Sequence, residues 1–169
     1  MKSVINHQSS IIKKGFTLIE LLVVISVIGI LAALILARFG TVEKSARDAR
    51  RKSDLNQYRT ALENYAIKTG GVYPSRTAGG GVQASTTLCN DLGTIYIASC
   101  PGPEDPRYSA TSWEYYKYQS DGTGGGNVNA TQYVLWAKTE TGLGYWVVCS
   151  NGKVGEKSSV SVTGGSCPL

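Results

Sequence analysis

The chain has 169 residues and a mass of 18.0 kDa, which suits one compact domain with an additional element and is short for two independent cores. Its net charge is +5. Three of the positive charges, Lys2, Lys13 and Lys14, precede the main apolar block, so the rest of the chain carries a net charge of only +2. So small a charge argues against nucleic acid as a partner. His7 is the only histidine and lies in the same segment, so no Ser-His or Cys-His constellation is available and we do not expect an enzyme.

Residues 16–37 form an apolar block of 22 residues that is interrupted only by four residues, Thr17, Glu20, Ser26 and Gly29. A helix of this length is about 33 Å long and can cross a hydrocarbon core of about 30 Å. The lysines before it predict that the amino terminus stays in the cytoplasm and that the rest of the chain lies outside. The block is longer than the usual secretory signal, so cleavage after Ala33 or Ala37 is the weaker alternative.

The passage KKGFTLIELLVVISVIGILAAL resembles the type III signal of the type IV pilin and pseudopilin family. The resemblance covers about the first quarter of the chain. It implies cleavage between Gly15 and Phe16, methylation of the new amino terminus at Phe16, and an assembly role for Glu20, the fifth residue of the mature chain. Many members of the family have a proline where this chain has Ala37, so a kink of the family type is not expected there.

Glu20 is a candidate functional residue on physical grounds alone, because a carboxylate inside hydrocarbon costs several kcal/mol. Its side chain either reaches the membrane interface near the start of the helix or neutralises the amino terminus of a neighbouring subunit. We favour the second interpretation, because cleavage after Gly15 creates a positive charge four residues before Glu20.

After Ala37 no helix breaker occurs before Gly70-Gly71, so we predict one helix from Phe16 to about Lys68. Its outer half carries two sets of apolar residues with helical spacing: Phe39, Val42, Ala46 and Ala49, then Leu55, Tyr58, Leu62 and Tyr65. We expect ion pairs between Glu43 and Arg47 and between Asp48 and Lys52 on its exposed side. The basic residues Arg47, Arg50, Arg51 and Lys52 favour a solvated helix face over a nucleic-acid site, since Asp48 and Asp54 lie among them.

The segment 71–111 is rich in Gly, Ser, Thr and Pro and is expected to be a long loop with one short helix near 85–92. All four cysteines, Cys89, Cys100, Cys149 and Cys167, follow the apolar block, which favours disulfides in an oxidising compartment over a metal site. Four cysteines allow three pairings. Proximity suggests Cys89 with Cys100, and the family resemblance implies a loop closed by Cys149 and Cys167.

Aromatic and β-branched runs at 113–119, 132–138, 145–149 and 153–155 predict an antiparallel sheet, with a hairpin at Asn151-Gly152. The expected fold is α+β: a leader (1–15), a membrane and assembly half of the helix (16–37), an amphipathic half (38–69) and an extracytoplasmic head (70–169). No cofactor is expected. The glycine-rich segment 120–127 could hold calcium, as some pseudopilins do, but it lacks the ligand spacing of a known loop motif, and a flexible hairpin connection is the preferred interpretation.

These patterns predict a filament subunit that is made as a membrane-inserted precursor and is assembled through its amino-terminal helix. Its expected partners are identical or related subunits, a prepilin peptidase and methyltransferase, the inner-membrane assembly machinery, and lipid before assembly. The sequence does not separate an adhesive or motility pilus from a type II secretion pseudopilus. The alternative is an uncleaved protein with one membrane span that displays a binding domain, and a secreted enzyme is a remote third.

Overall fold

The computed structural model describes residues 15–36, 39–77, 79–108 and 114–169. The chain forms two units, Met1–Gly40 and Thr41–Leu169. Residues 1–14, with Lys2, Lys13 and Lys14, lie outside the described residues, and so do residues 37 and 38, on which the predicted continuity of one long helix depends. An apolar helix, a second helix and antiparallel sheets follow one another along the chain, as expected for the predicted α+β class.

Helix α1 spans Leu18–Leu36 and consists almost entirely of apolar residues. None of its residues is buried within the chain. With 19 residues it is about 28 Å long, and by length and composition it can cross a membrane. Its apolar surface therefore has no partner in the described chain.

Helix α2 spans Phe39–Thr69, and its end lies one residue beyond the predicted one. Gly70 and Gly71 follow with φ angles of +80° and +89°, and the Gly71 N–H donates to the Ala66 carbonyl at 2.8 Å, which ends the helix in the usual left-handed manner. The second predicted apolar set, Leu55, Tyr58, Leu62 and Tyr65, is buried.

The first predicted apolar set does not form a packed face. Phe39 and Val42 are exposed, and so are Ala46 and Ala49. At this level of α2 the buried residues are Asp48 and Arg51, which are charged. The helical spacing thus identified the buried face in the second half of α2, whereas in the first half charged partners elsewhere in the chain decide which face is covered.

The strands in chain order are β1 (Tyr73–Pro74), β2 (Val82–Gln83), β3 (Lys117–Ser120), β4 (Val128–Ala130), β5 (Tyr133–Lys138), β6 (Tyr145–Cys149) and β7 (Val154–Lys157). Five of them form an antiparallel sheet in the order β2-β3-β5-β6-β7, and β1 pairs with β4 in a separate two-stranded sheet. Strands β5, β6 and β7 lie within two residues of their predicted bounds. Strand β3 begins at Lys117, later than predicted, and Trp113 lies outside the described residues. The strands with two or three residues, β1, β2 and β4, were not predicted.

Alternating side chains of the large sheet contribute to two apolar cores. Leu135 and Val148 belong to the larger core, which also contains Leu55 and Leu62 of α2. On the other face, Trp136 and its neighbours are covered by residues from the last ten positions of the chain; this second core contains Val134, Trp136, Val147, Cys149, Val160, Val162, Cys167 and Leu169. The carboxy-terminal segment 158–169 therefore acts as a cover for one face of the sheet.

The segment 71–111 has more structure than the expected loop with one helix. A π-helical turn, Ala84–Leu88, leads into helix α3, Cys89–Leu92, at the place of the predicted short helix. Cys89 is joined to Cys100 and Cys149 to Cys167, with Cα atoms 5.8 and 5.6 Å apart. The first disulfide closes the loop after α3, and the second ties the carboxy-terminal segment to the end of β6.

Candidate processing and assembly site

The predicted cleavage junction is the point at which the chain enters α1. Gly15 and Phe16 are exposed and are not helical. A Cβ atom placed on Gly15 would meet no atom of the described residues within 4 Å. These residues therefore impose no steric need for glycine at position 15, so a requirement for glycine there would come from an enzyme that reads the junction.

Thr17 and Glu20 form a capping box at the start of α1. The backbone N–H of Thr17 donates to Glu20 Oε2 at 2.8 Å, and the Thr17 hydroxyl donates to the same oxygen at 2.7 Å. In return, the Glu20 N–H donates to Thr17 Oγ1 at 3.3 Å. The Thr-x-x-Glu spacing is the sequence signature of this motif, and it was available but was not used in the sequence analysis.

The capping box gives Glu20 a role inside its own chain that neither sequence interpretation included. Only Oε2 takes part in it, and Oε1 accepts no hydrogen bond from the residues that the structure describes. The carboxylate can thus cap α1 with one oxygen and present the other to a further partner.

The other interior polar residue of α1 is satisfied within the helix. The Ser26 hydroxyl donates to the Leu22 carbonyl one turn earlier, at 2.7 Å. This bond lets a hydroxyl lie in apolar surroundings without a missing hydrogen bond. Glu20 is accordingly the one charged group of Leu18–Leu36, and any partner for its free oxygen has to come from outside this helix.

In the second unit, the prediction of a solvated helix face is wrong for Arg51, whereas Arg50 is largely exposed and Lys52 is partly exposed. Arg51 is completely buried. Its guanidinium binds Asp105 with two hydrogen bonds of 2.6 and 2.9 Å, and it donates to Asp48 at 2.7 Å and to Glu140 at 2.8 Å.

Glu140 lies at the centre of the same network. It also accepts two hydrogen bonds of 2.8 Å from Arg47 and one of 3.0 Å from Arg107. The bonds from Arg47, with those from Arg51 and Arg107, lower the pKa of the Glu140 carboxyl to about 2. We call the six residues Arg47, Asp48, Arg51, Asp105, Arg107 and Glu140 the ionic network.

Asp48 connects α2 to the turn between β5 and β6. Its carboxylate accepts hydrogen bonds from the backbone N–H groups of Glu140 and Thr141 and from the Thr141 hydroxyl, the last at 2.6 Å. These bonds outweigh burial and lower the pKa of Asp48. The expected pair of Asp48 with Lys52 is therefore absent, and Lys52 instead lies 3.2 Å from Glu156. The expected pair of Glu43 with Arg47 is present at 3.7 Å.

The glycine-rich segment considered for calcium is held by its own hydrogen bonds. Both carboxylate oxygens of Asp121 are used: Oδ1 accepts from the Thr131 and Gln132 N–H groups, and Oδ2 accepts from the Thr131 hydroxyl. Within the described ranges, no group of three or more His, Cys, Asp or Glu residues is placed to hold a metal ion. Asp121 closes the connection between β3 and β5.

Known proteins match two overlapping parts of this chain. A family motif matches its amino-terminal part, and curated relatives match about a third of it. The prokaryotic N-terminal methylation motif matches residues 12–36. The type IV major fimbrial protein FimA of Dichelobacter nodosus is 42% identical over 56 residues, which are 33% of this chain and 36% of that protein. Another FimA of the same organism is 42% identical over 52 residues, or 31% of this chain and 33% of the relative.

This chain thus spans about a third of the length of the curated relatives that it matches. No solved structure matches it significantly. The methylation motif covers the Gly15-Phe16 junction, the capping box and α1, which are the residues that the site comprises. The amino-terminal part of this chain, with the junction, the capping box and α1, is thus similar to the methylation motif and to fimbrial proteins of the type IV class.

Proposed function

We propose that this protein is the structural subunit of a type IV pilus or a type II secretion pseudopilus, made as a membrane-inserted prepilin, cleaved after Gly15 and assembled through α1. One observation carries the proposal: a prepilin-type junction leads directly into an apolar helix that has no partner in the described chain. A helix of 19 residues that is apolar except for a few positions, among them Glu20, needs either lipid or other helices around it. The same surface would serve in both states, first in the membrane and then in the filament.

Glu20 would select the correct position of an incoming subunit. Cleavage after Gly15 leaves a positively charged amino group on Phe16, and inside a bundle of apolar helices this charge needs a partner. Glu20 Oε1 is free of hydrogen bonds from the described residues, while Oε2 holds the helix start. The carboxylate of one subunit would thus bind the amino terminus of its neighbour without giving up the cap.

The proposal implies a defined set of partners and places. The precursor lies in the bacterial inner membrane with its head outside the cytoplasm, and a prepilin peptidase and methyltransferase process it. The inner-membrane assembly machinery then transfers it from lipid into a filament of identical or related subunits. The filament lies at the cell surface, or in the periplasm for a pseudopilus.

Intact-mass measurement on protein from its native membrane tests the proposal. We expect a chain that begins at Phe16 and carries one methyl group. A chain that begins at Met1 would instead support an uncleaved protein with one span, and a chain that begins near Arg38 would support ordinary signal-peptide cleavage.

A pair of variants makes this test specific to the junction. Gly15→Leu should remain at precursor length, and Gly29→Leu should mature normally. At both positions an added Cβ meets no atom of the part of the chain that the structure describes, so we attribute a difference between the variants to recognition and not to folding. Normal maturation of Gly15→Leu would exclude Gly15 as the cleavage residue.

A further inference from the structure

A cleft with both polar and apolar lining lies in the second unit, between α2 and residues 96–103 on either side of Cys100. It has a volume of about 430 Å³, within the range of small-ligand sites. One stripe of α2 forms its first wall, with Ser53, Asn56, Gln57, Thr60 and Asn64. The opposite wall includes Tyr96, Ala98 and Pro103. These five residues of α2 recur at the spacing of one helical face.

The amide side chains on this stripe have no hydrogen-bond partner among the described residues. Asn56, Gln57 and Asn64 are exposed, and their side chains make no hydrogen bond to any residue in the described ranges. Two other amides of the head, those of Asn127 and Asn129, both bond to Thr123. The head thus carries three free amides side by side, each with a donor and an acceptor directed to solvent.

The opposite wall is held in place before any ligand arrives. The Tyr96 ring packs edge to face on Tyr65, with centroids 5.3 Å apart. The Tyr58 hydroxyl donates to the Pro103 carbonyl at 2.8 Å, and the disulfide fixes the base of the loop. A preformed wall lowers the entropic cost of binding.

Charge separates this cleft from its neighbour. The residues that line the 430 Å³ cleft carry no formal charge. The adjacent cleft, about 730 Å³, contains Arg50, Asp54, Glu104 and Asp105. The lining of the first cleft offers hydrogen-bonding groups and no ionic partner, which favours a neutral ligand.

We propose that this cleft binds a neutral saccharide segment. A side-chain amide donates and accepts at once, and so it matches a pair of neighbouring sugar hydroxyls, while an aromatic ring such as that of Tyr96 packs on the C–H face of a sugar ring. Saccharide binding in this cleft does not depend on the filament function proposed above. It would give the filament subunit a ligand.

The test uses the full-length protein in a detergent without a sugar headgroup. Isothermal titration with two neutral probes, cellotetraose and tetra-N-acetylchitotetraose, should show saturable binding of at least one. Tetragalacturonate, which is charged, should bind at least about 10-fold more weakly. Absence of binding by both neutral probes, or equal binding of a neutral Gly-Ser peptide, would overturn the proposal.

Variants assign the binding to the cleft. Ala98→Trp should abolish binding by filling the cleft, and Asn56→Ala with Asn64→Ala should weaken it at least 10-fold. Gln132→Ala, which removes an exposed amide outside the cleft, should bind like the parent. Parental binding by Ala98→Trp would overturn the assignment. Sheared filaments should bind as well as the free subunit, and their failure to bind would show that a second copy occupies the cleft instead.

Discussion

Helix α1 and helix α2 differ in where their side chains find partners. Every residue of α1 is exposed within the chain, and its polar side chains bond only to neighbouring residues of the same segment, which leaves one oxygen of Glu20 free among the described residues. The buried face of α2 is matched by the sheet and by two loops, and it even includes the guanidinium of Arg51. A helix can thus be completed by its own chain or left for other molecules to complete.

The difference separates two kinds of substitution. Changes in α1 should alter assembly and leave the stability of the second unit as it is. Changes in the buried face of α2 should lower the stability of the second unit first.

The largest expected effect concerns Glu20 and filament assembly. Glu20→Val removes the carboxylate and makes α1 more apolar, so insertion into the membrane should persist while filaments are lost. Each incoming subunit would bury an amino-terminal charge without its partner, which costs about 3 to 5 kcal/mol. The measurement compares sheared filaments with the membrane pool of cleaved protein.

A second substitution separates the charge of Glu20 from its cap. Glu20→Gln keeps an acceptor for Thr17 and satisfies the same capping pattern, but it has no charge. We expect it to lose filaments as Glu20→Val does. Ser26→Ala is the matched control, because the Ser26 hydroxyl bonds only within α1 among the described contacts. Parental filament levels in Glu20→Gln would show that capping alone is the role of Glu20.

Arg51→Met should lower the free energy of unfolding of the second unit by about 3 to 5 kcal/mol, because Asp105 would stay buried without its partner. Arg50→Met is the control, one residue away and largely exposed, and should change stability by no more than about 0.5 kcal/mol. Denaturant unfolding of the full-length protein in detergent gives both values. Similar losses in the two variants would contradict the central place of Arg51.

The disulfide between Cys149 and Cys167 should contribute about 3 kcal/mol, as expected for a loop of 18 residues. Replacing both cysteines with serine should loosen the carboxy-terminal segment and expose Trp136, which tryptophan fluorescence would report. We also expect no free thiol in the mature protein when it is denatured without reductant. Detection of four free thiols would reopen the reduced and metal-bound alternatives.

The smallest expected effect is a loss of stability in acid. The folded-state pKa of Glu140 is lowered to about 2 from an ordinary 4.5, so its stabilisation is present above pH 4.5 and is lost as the pH falls toward 2. Asp48, whose pKa is also lowered, acts in the same direction. Burial raises the pKa of Asp54, so its contribution has the opposite sign and disappears as the pH rises.

Glu140→Gln should therefore flatten the fall in stability between pH 4.5 and 2, although it lowers stability at neutral pH. Melting temperatures of parent and variant across this range provide the comparison. Parallel curves would show that Glu140 does not cause the acid sensitivity.

Local signals explain which parts of the fold could be predicted from the sequence. The end of α2 was predicted to within one residue because Gly70-Gly71 directly follows it. Strand β6 was predicted equally well because its aromatic and β-branched run directly precedes the turn signal Asn151-Gly152. Strands β1 and β2 have two residues each, which is too short for any period to appear. The capping box was a local signal that could have been found.

The burial of Arg51 could not be predicted, because its partners are distant in sequence. Asp105 lies 54 positions away and Glu140 lies 89 positions away. A basic cluster with acidic neighbours is typical of a solvated helix face, and nothing near Arg51 distinguishes it from Arg50. Only the packing of two loops against α2 does so.

The ionic network also bears on the order of folding. Helix α2 can form early from local contacts, whereas Arg51 can meet Asp105 and Glu140 only after the sheet and both loops have docked. Interactions that are absent from the folding transition state slow unfolding without hastening folding. We therefore expect Arg51→Met to raise the unfolding rate while it leaves the refolding rate nearly unchanged. If the head lies outside the cell, as proposed, no ATP-driven chaperone can restore it there, and slow unfolding would decide how long each subunit lasts.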